Sequence, residues 1–104
     1  MIATEDKLRT DEMDQFLKAV LTLQNVEECY RFFEDVCTVR ELKEMAQRFM
    51  VAKMLNEKCV YAHIAQTTGA STATISRVNR SLSYGNDGYR LVLSRIEAES
   101  QSHE

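Results

Sequence analysis

The amino-acid sequence predicts an all-α fold, on the basis of three observations. Proline is absent and only three of the 104 residues are glycine, so the turn residues that a β-rich fold needs are scarce. Apolar residues recur at the three- and four-residue spacing of a helix face in successive segments. Side chains that cap helix starts precede most of these segments. At 12.0 kDa, the chain has room for one domain.

The first two helices are each predicted by a cap that precedes one apolar stripe. Thr10 and Asp11 can cap the first, whereas Asn25 with Glu28 three residues later has the pattern of a capping box for the second. The apolar positions are Met13, Phe16, Leu17, Val20 and Leu21 in the first helix, and Val26, Cys29, Tyr30, Phe33, Val36 and Cys37 in the second.

A third helix is predicted from Val39 to about Glu57, after the capping-box pair Thr38 and Glu41. Between Phe49 and Leu55 its apolar residues cover well over half of the circumference. A helix that is apolar on nearly all sides must be covered on more than one side. Because the other short helices of one chain can hardly supply that cover, a partner chain is expected.

Two short helices joined by a glycine turn are predicted next, over residues 61–68 and 71–82. Gly69 is a suitable stop for the first helix and Ser71 a suitable cap for the second. Ala65 is small at the position where two such helices would cross. This arrangement is typical of a helix-turn-helix.

The inner face of this pair is expected to comprise Ile64, Ile75 and Val78. Thr68 departs from the pattern and Ala70 fits it only in part, because larger apolar residues would fill the turn better. A turn over residues 84–88, a last helix from Tyr89 to about Ala98 and a disordered tail from Ser100 complete the chain.

The charge distribution favours a nucleic-acid partner for the helix-turn-helix. The net charge is −3, yet residues 61–96 carry four arginines against a single aspartate. Small residues let a helix backbone enter a major groove, and Ser and Arg can hydrogen-bond to bases or phosphates. An ordinary helical hairpin with a solvated polar face is the alternative. The predicted DNA-contacting residues are Thr72, Ala73, Ser76, Arg77, Asn79 and Arg80.

At this point the sequence resembles a known family. Residues Gly69–Leu82 resemble the recognition segment of the Trp repressor family, and Cys37–Thr38 and Ala46–Arg48 resemble its central helix. Glu28–Phe33 and Tyr84–Asp87 are similar to the YerC/YecD branch. The resemblance implies a six-helix subunit with a helix-turn-helix, an intertwined homodimer, and a transcriptional regulator, specifically a repressor, that binds a palindromic operator.

The resemblance also divides the single domain by role. It implies dimerisation helices over residues 1–58, the helix-turn-helix over 59–83, a C-terminal dimerisation helix over 84–99 and the disordered tail over 100–104. The expected partners are double-stranded DNA and a second copy of the chain.

The family's ligand pocket is only partly matched. Arg48 and Arg77 occupy positions of two arginines that sandwich the indole of L-tryptophan, and Thr38 and Ser81 match residues near the ligand's polar end. Val78 stands where the family has glycine, and its three extra carbons disfavour tryptophan. We therefore expect no cofactor, and an effector, if one exists, is unknown.

Arg48 and Arg77 each have an alternative interpretation, and some basic residues of the family are missing. Arg48 could instead pair with Glu44, and Arg77 could face the pocket, the DNA or solvent. Basic residues of the family are replaced by Ala62, Ala65 and Ser83, which implies weaker and less salt-sensitive DNA binding.

The sequence excludes several other classes of function. It contains no phosphate-binding loop or nucleophile motif, so an enzyme is not expected. No apolar run approaches a membrane span, and the charged residues at positions 5–7 do not fit a signal peptide. An odd number of cysteines without paired spacing favours reduced thiols in the cytoplasm. His63 and His103 are too far apart to suggest a metal site. The competing hypothesis is a helical scaffold dimer that binds proteins and not DNA.

Overall fold

The computed structural model describes residues 7–102 and confirms the all-α prediction, with six helices and no strand in that range. The helices are α1 Asp11–Val20, α2 Val26–Val36, α3 Val39–Asn56, α4 Tyr61–Thr68, α5 Thr72–Tyr84 and α6 Gly88–Ser102. Helices α1 and α2 belong to one compact unit, which ends at Val39, and a second unit begins at Arg40. None of the described helices is both long and apolar enough to cross a bilayer.

The first unit forms its helices through the predicted caps. The Thr10 hydroxyl accepts a hydrogen bond from the Met13 amide at 3.0 Å. The Asn25 side chain accepts one from the Glu28 amide at 2.9 Å, and the Glu28 carboxylate accepts from the Gln24 amide at 2.9 Å. Asn25 and Glu28 therefore close the start of α2 from both sides, one residue wider than a standard capping box.

Helices α1 and α2 are amphipathic but bury no residue within the single chain. Phe16 and Phe32 stack with ring centroids 5.9 Å apart. Leu21, Val26 and Tyr30 remain mostly exposed. The apolar stripes of α1 and α2 thus have little cover inside one chain.

The second unit has a dry core at the junction of α3, α4 and α5. No polar or charged residue of the described chain is buried, and Tyr89 of α6 packs against the edge of the core. The predicted inner face of the helix pair is confirmed, because Ile64, Ile75 and Val78 are all buried. The core cluster consists of Val51, Ala52, Met54, Ile64, Ala70, Ile75 and Val78.

A residue with left-handed backbone conformation lies two positions after the end of α3, and the sequence gives no signal for it. Lys58 has φ 68°, a conformation that costs a side chain about 1–2 kcal/mol. The amide of Cys59 donates to the Met54 carbonyl and that of Lys58 to the Leu55 carbonyl, both at 3.0 Å. This is the Schellman pattern that stops a helix.

Helix α6 extends beyond its predicted end. The sequence places the end near Ala98 and a disordered tail from Ser100, whereas α6 continues to Ser102. No glycine or proline follows Gly88 to stop the helix, and good helix formers such as Glu99 and Gln101 prolong it. The rest of the predicted tail, residues 103–104, and the charged N-terminal stretch up to residue 6 lie outside the described residues.

Candidate nucleic-acid interface

The turn between α4 and α5 is built by backbone geometry and one hydroxyl group. Gly69 has φ 75° and its amide donates to the Ala65 carbonyl at 2.9 Å. The Thr68 hydroxyl donates to the Ile64 carbonyl at 2.8 Å and accepts from the Ala70 amide at 3.1 Å. Thr68, which departs from the apolar pattern, therefore serves the turn through hydrogen bonds in place of packing.

Helix α5 is held at its start by a side-chain cap and along its inner side by burial. The Ser71 hydroxyl accepts from the Thr74 amide at 3.1 Å, as the sequence predicts. Ile75, Val78 and Leu82 are buried and form one stripe, and α5 packs against both α4 and α6. These contacts set the rotation of α5 about its own axis.

The opposite side of α5 is not covered by the rest of the described chain. We call Thr72, Ala73, Ser76, Arg77 and Arg80 the outer face of α5, and all five are exposed. Asn79, also predicted to contact DNA, is half-buried at the edge of the stripe. The structure brings the six predicted residues to one helix, with Asn79 at the border of the accessible surface.

The outer face of α5 lies in a part of the chain without carboxylates. No aspartate or glutamate occurs from Cys59 to Asn86, which includes α4, the turn and all of α5. Helix α4 contributes no lysine or arginine, and Ala62 and His63 on it are exposed. Positive charge in these two helices therefore comes from Arg77 and Arg80 alone.

Two longer-range hydrogen bonds anchor the helix pair, and sequence reasoning missed both. The Gln47 amide group on α3 donates from Nε2 to the Thr68 carbonyl oxygen at 3.1 Å. Arg90 on α6 donates from Nε to the Leu82 carbonyl oxygen at 3.0 Å. The sequence signal for Gln47 and Arg90 is weak, because the sequence pattern of a polar residue on a helix surface is the same whether or not its side chain reaches another helix.

The predicted effector residues differ in how far they are exposed. Val78 is only 2% exposed and packs in the core. Arg48 is half-buried, whereas Arg77 and Ser81 are exposed. Thr38 is exposed as well and belongs to the first unit.

A cleft beside the end of α5 contains only one of the predicted effector residues. It has a volume of about 460 Å³. Ser81 contributes to its wall, but Arg48, Arg77 and Val78 do not. Its lining residues are Phe49, Ser81, Gly85, Asn86, Gly88, Tyr89 and Val92.

The alternative pairing of Arg48 with Glu44 is not formed. Glu44 instead pairs with Arg40, with 3.6 Å between Arg40 Nε and Glu44 Oε2. Both side chains of that pair are more than half exposed, so it adds little to stability. Within residues 7–102, Glu44 is therefore engaged by Arg40 and not by Arg48.

No group of metal-ligating side chains occurs within residues 7–102. His63 is exposed on α4, and His103 lies outside the described residues. The three cysteines are free thiols and half-buried.

The sequence is similar to a known family and to a relative from Bacillus subtilis. The sequence profile of the family described as Trp repressor protein matches residues 11–97. The chain is 54% identical over 98 residues to the uncharacterized protein YerC of Bacillus subtilis (strain 168), covering 93% of this chain and 94% of that protein.

Solved structures show the same fold at high sequence identity. A crystal structure of a TrpR-like protein from Eubacterium eligens ATCC 27750 has a TM-score of 0.87 and 56% identity, covering 88% of this chain and 95% of that one. A crystal structure of a candidate Trp repressor from Staphylococcus aureus has a TM-score of 0.86 and 53% identity, covering 88% and 92%.

Proposed function

The chain belongs to the Trp repressor family, as a YerC-type member, and from that premise we propose that it is a sequence-specific DNA-binding regulator of transcription. It acts as a repressor, and as a homodimer, on a palindromic operator. The outer face of α5 is the reading surface.

The observation that carries the proposal is the composition of that outer face on a helix whose other side is buried. A side chain can read a base edge only if its helix is held at a fixed rotation, and the buried stripe holds α5 in this way. Thr72, Ala73 and Ser76 are small enough for the backbone to approach the base pairs. Arg80 is long enough to reach a guanine or a phosphate.

Exposed apolar surface supports the homodimer. Met45 and Met50 on α3 and Val92 and Ile96 on α6 are each 40–45% exposed in the single chain. Helices α1 and α2 add further apolar residues and bury none. Surfaces of this kind mark interfaces between proteins, and a second copy would cover them.

A twofold-symmetric dimer sets the form of the operator. Two copies of α5 would enter successive major grooves about 34 Å apart, so the half-sites would be about one helical turn apart and inverted. Because α4 contributes no lysine or arginine, few phosphates would be neutralised per subunit. The affinity should therefore fall less steeply with salt than that of a basic repressor.

Selection of bound DNA from random duplexes, followed by fluorescence anisotropy, tests the proposal. Enrichment of an inverted repeat that the chain binds more tightly than random DNA is the expected result. Arg80→Ala should weaken binding by about 5- to 150-fold, the equivalent of roughly 1–3 kcal/mol. Arg40→Ala is the matched control, because it removes the same charge from a side chain that is 89% exposed on α3.

Two outcomes would contradict the proposal. If no duplex binds at any salt concentration, the chain is better described as a scaffold dimer that binds proteins. If Arg80→Ala and Arg40→Ala bind the selected duplex equally well, the outer face of α5 is not the DNA surface.

A further inference from the structure

We propose that Gln47 and Arg90 are positioning residues that hold the helix-turn-helix in its DNA-reading orientation without a ligand; this inference rests on the proposed function. Both side chains come from helices outside the α4–α5 pair. Each donates to a backbone carbonyl in the last turn of one helix of that pair. Together they fix both helices to the α3 and α6 scaffold.

The anchor from α3 acts at the turn. Gln47 Nε2 lies 3.1 Å from the Thr68 carbonyl oxygen and 4.0 Å from the position that a Cβ on Gly69 would take. The turn therefore lies directly against this amide group. A bond to the last residue of α4 restrains the point about which α4 and α5 could rotate away from α3.

The anchor from α6 acts at the far end of α5. Helix α5 has no basic residue in its own last turn to satisfy its final carbonyl groups. Arg90 supplies that charge from α6 through Nε, 3.0 Å from the Leu82 carbonyl oxygen. A bond between a charged donor and a helix C-terminus is among the stronger hydrogen bonds in proteins.

The packed core that includes the inner face of α5 removes the need for an effector to orient this helix. Val78 on α5 belongs to the same buried core cluster as Val51 and Ala52 of α3. With the core packed and both ends bonded, the reading orientation is the resting state of the unit. If an anchor is removed, only a fraction of molecules holds the competent orientation, and the apparent Kd for the operator rises by the inverse of that fraction.

The positioning role differs from direct DNA contact in its signature. Reading bases needs the correct orientation of α5, whereas non-specific binding depends on phosphate contacts alone. Loss of an anchor should therefore weaken operator binding and leave non-specific binding and the salt slope unchanged. Loss of a phosphate contact would weaken both and reduce the salt slope by about one.

The experiment compares Gln47→Met and Arg90→Met with the wild-type chain on the selected duplex and on random DNA. Both variants keep an unbranched side chain of similar length and remove the donor. We expect each to weaken operator binding by about tenfold, with little change on random DNA. Arg95→Met is the matched control, since it removes another exposed arginine of α6, five residues further along the helix. Arg90→Lys should recover part of the loss, because lysine keeps both charge and donor.

A measurement without DNA tests the anchor in the wild-type chain. The Nε–H group of Arg90 should give an NMR signal that exchanges with water more slowly than that of Arg95. Equal exchange of the two groups, operator binding of both anchor variants as tight as that of Arg95→Met, or a flattened salt slope for Arg90→Met would each overturn the inference. Absence of any duplex binding by the wild-type chain would refute the proposed function, while the exchange measurement would still judge the Arg90 anchor.

Discussion

Replacement of Val78 by glycine is the most direct test of whether this position belongs to a ligand pocket or to a packed core. Glycine is the residue that the resemblance to the Trp repressor family implies at this position. In this chain the side chain is 2% exposed and belongs to the cluster that joins α3, α4 and α5. Val78→Gly should therefore remove core packing and open space at the same time.

The expected loss of stability follows from burial and helix propensity. Complete removal of a buried valine side chain forfeits about 1.5–3 kcal/mol of burial free energy. Glycine in a helix interior adds a few tenths of a kcal/mol relative to valine. We expect the free energy of unfolding to fall by about 3 kcal/mol, with Val78→Ala near 2 kcal/mol. Urea unfolding at fixed protein concentration measures both.

The ligand response then distinguishes the two roles of the position. We expect calorimetry to detect no useful affinity of the wild-type chain for L-tryptophan, because the ligand would have to displace a packed side chain. Val78→Gly should gain affinity and regain stability when tryptophan is added, by about 2.7 kcal/mol at a ligand concentration 100 times Kd.

Val78→Ala serves as the control for the Val78→Gly variant, because it loses packing while keeping a Cβ. Micromolar binding of tryptophan by the wild-type chain, or an unchanged urea midpoint in Val78→Gly, would refute the reasoning.

Three further predictions concern assembly and backbone geometry. Sedimentation at low micromolar concentration should give about twice the 12.0 kDa subunit mass, with unfolding midpoints that rise with concentration; a stable folded monomer would contradict the proposed dimer. Gly85→Ala should destabilise the chain by about 1–3 kcal/mol, since its new Cβ would run into the Ser81 carbonyl oxygen that the Gly85 amide already contacts, and an unaltered melting curve would argue against this turn. Lys58→Gly should stabilise it by about 0.5–1 kcal/mol because φ there is 68°, whereas Lys53→Gly within α3 should destabilise; the reverse order would mean that the end of α3 differs.

Local signals in the sequence sufficed to predict the six helices and, for three of them, the residue that caps the start. Thr10, Asn25 and Ser71 cap the helices that they were predicted to cap, because an N-cap involves only residues three positions apart. Gly69 ends α4 for an equally local reason, its positive φ. Local signals failed at the end of α6, since a run of helix formers carries no stop signal.

The sequence by itself also determined which side of α5 is buried. The spacing of Ile75, Val78 and Leu82 defines one stripe, and the same periodicity leaves the outer face of α5 exposed. The segment without carboxylates, from Cys59 to Asn86, is equally a property of the sequence. These features depend only on the order of residues along one helix.

Only the tertiary structure decided which polar side chains reach across helices. Gln47 lies 21 residues from Thr68 and Arg90 lies 8 residues from Leu82, and no periodicity links such pairs. The structure likewise decided which residues of other helices share a core with Val78, namely Val51 and Ala52 of α3 and Ile64 of α4, because that depends on what neighbouring helices place around a side chain. Hydrogen bonds and packing between helices arise from their three-dimensional arrangement, whereas caps and stripes are already present in the order of the residues.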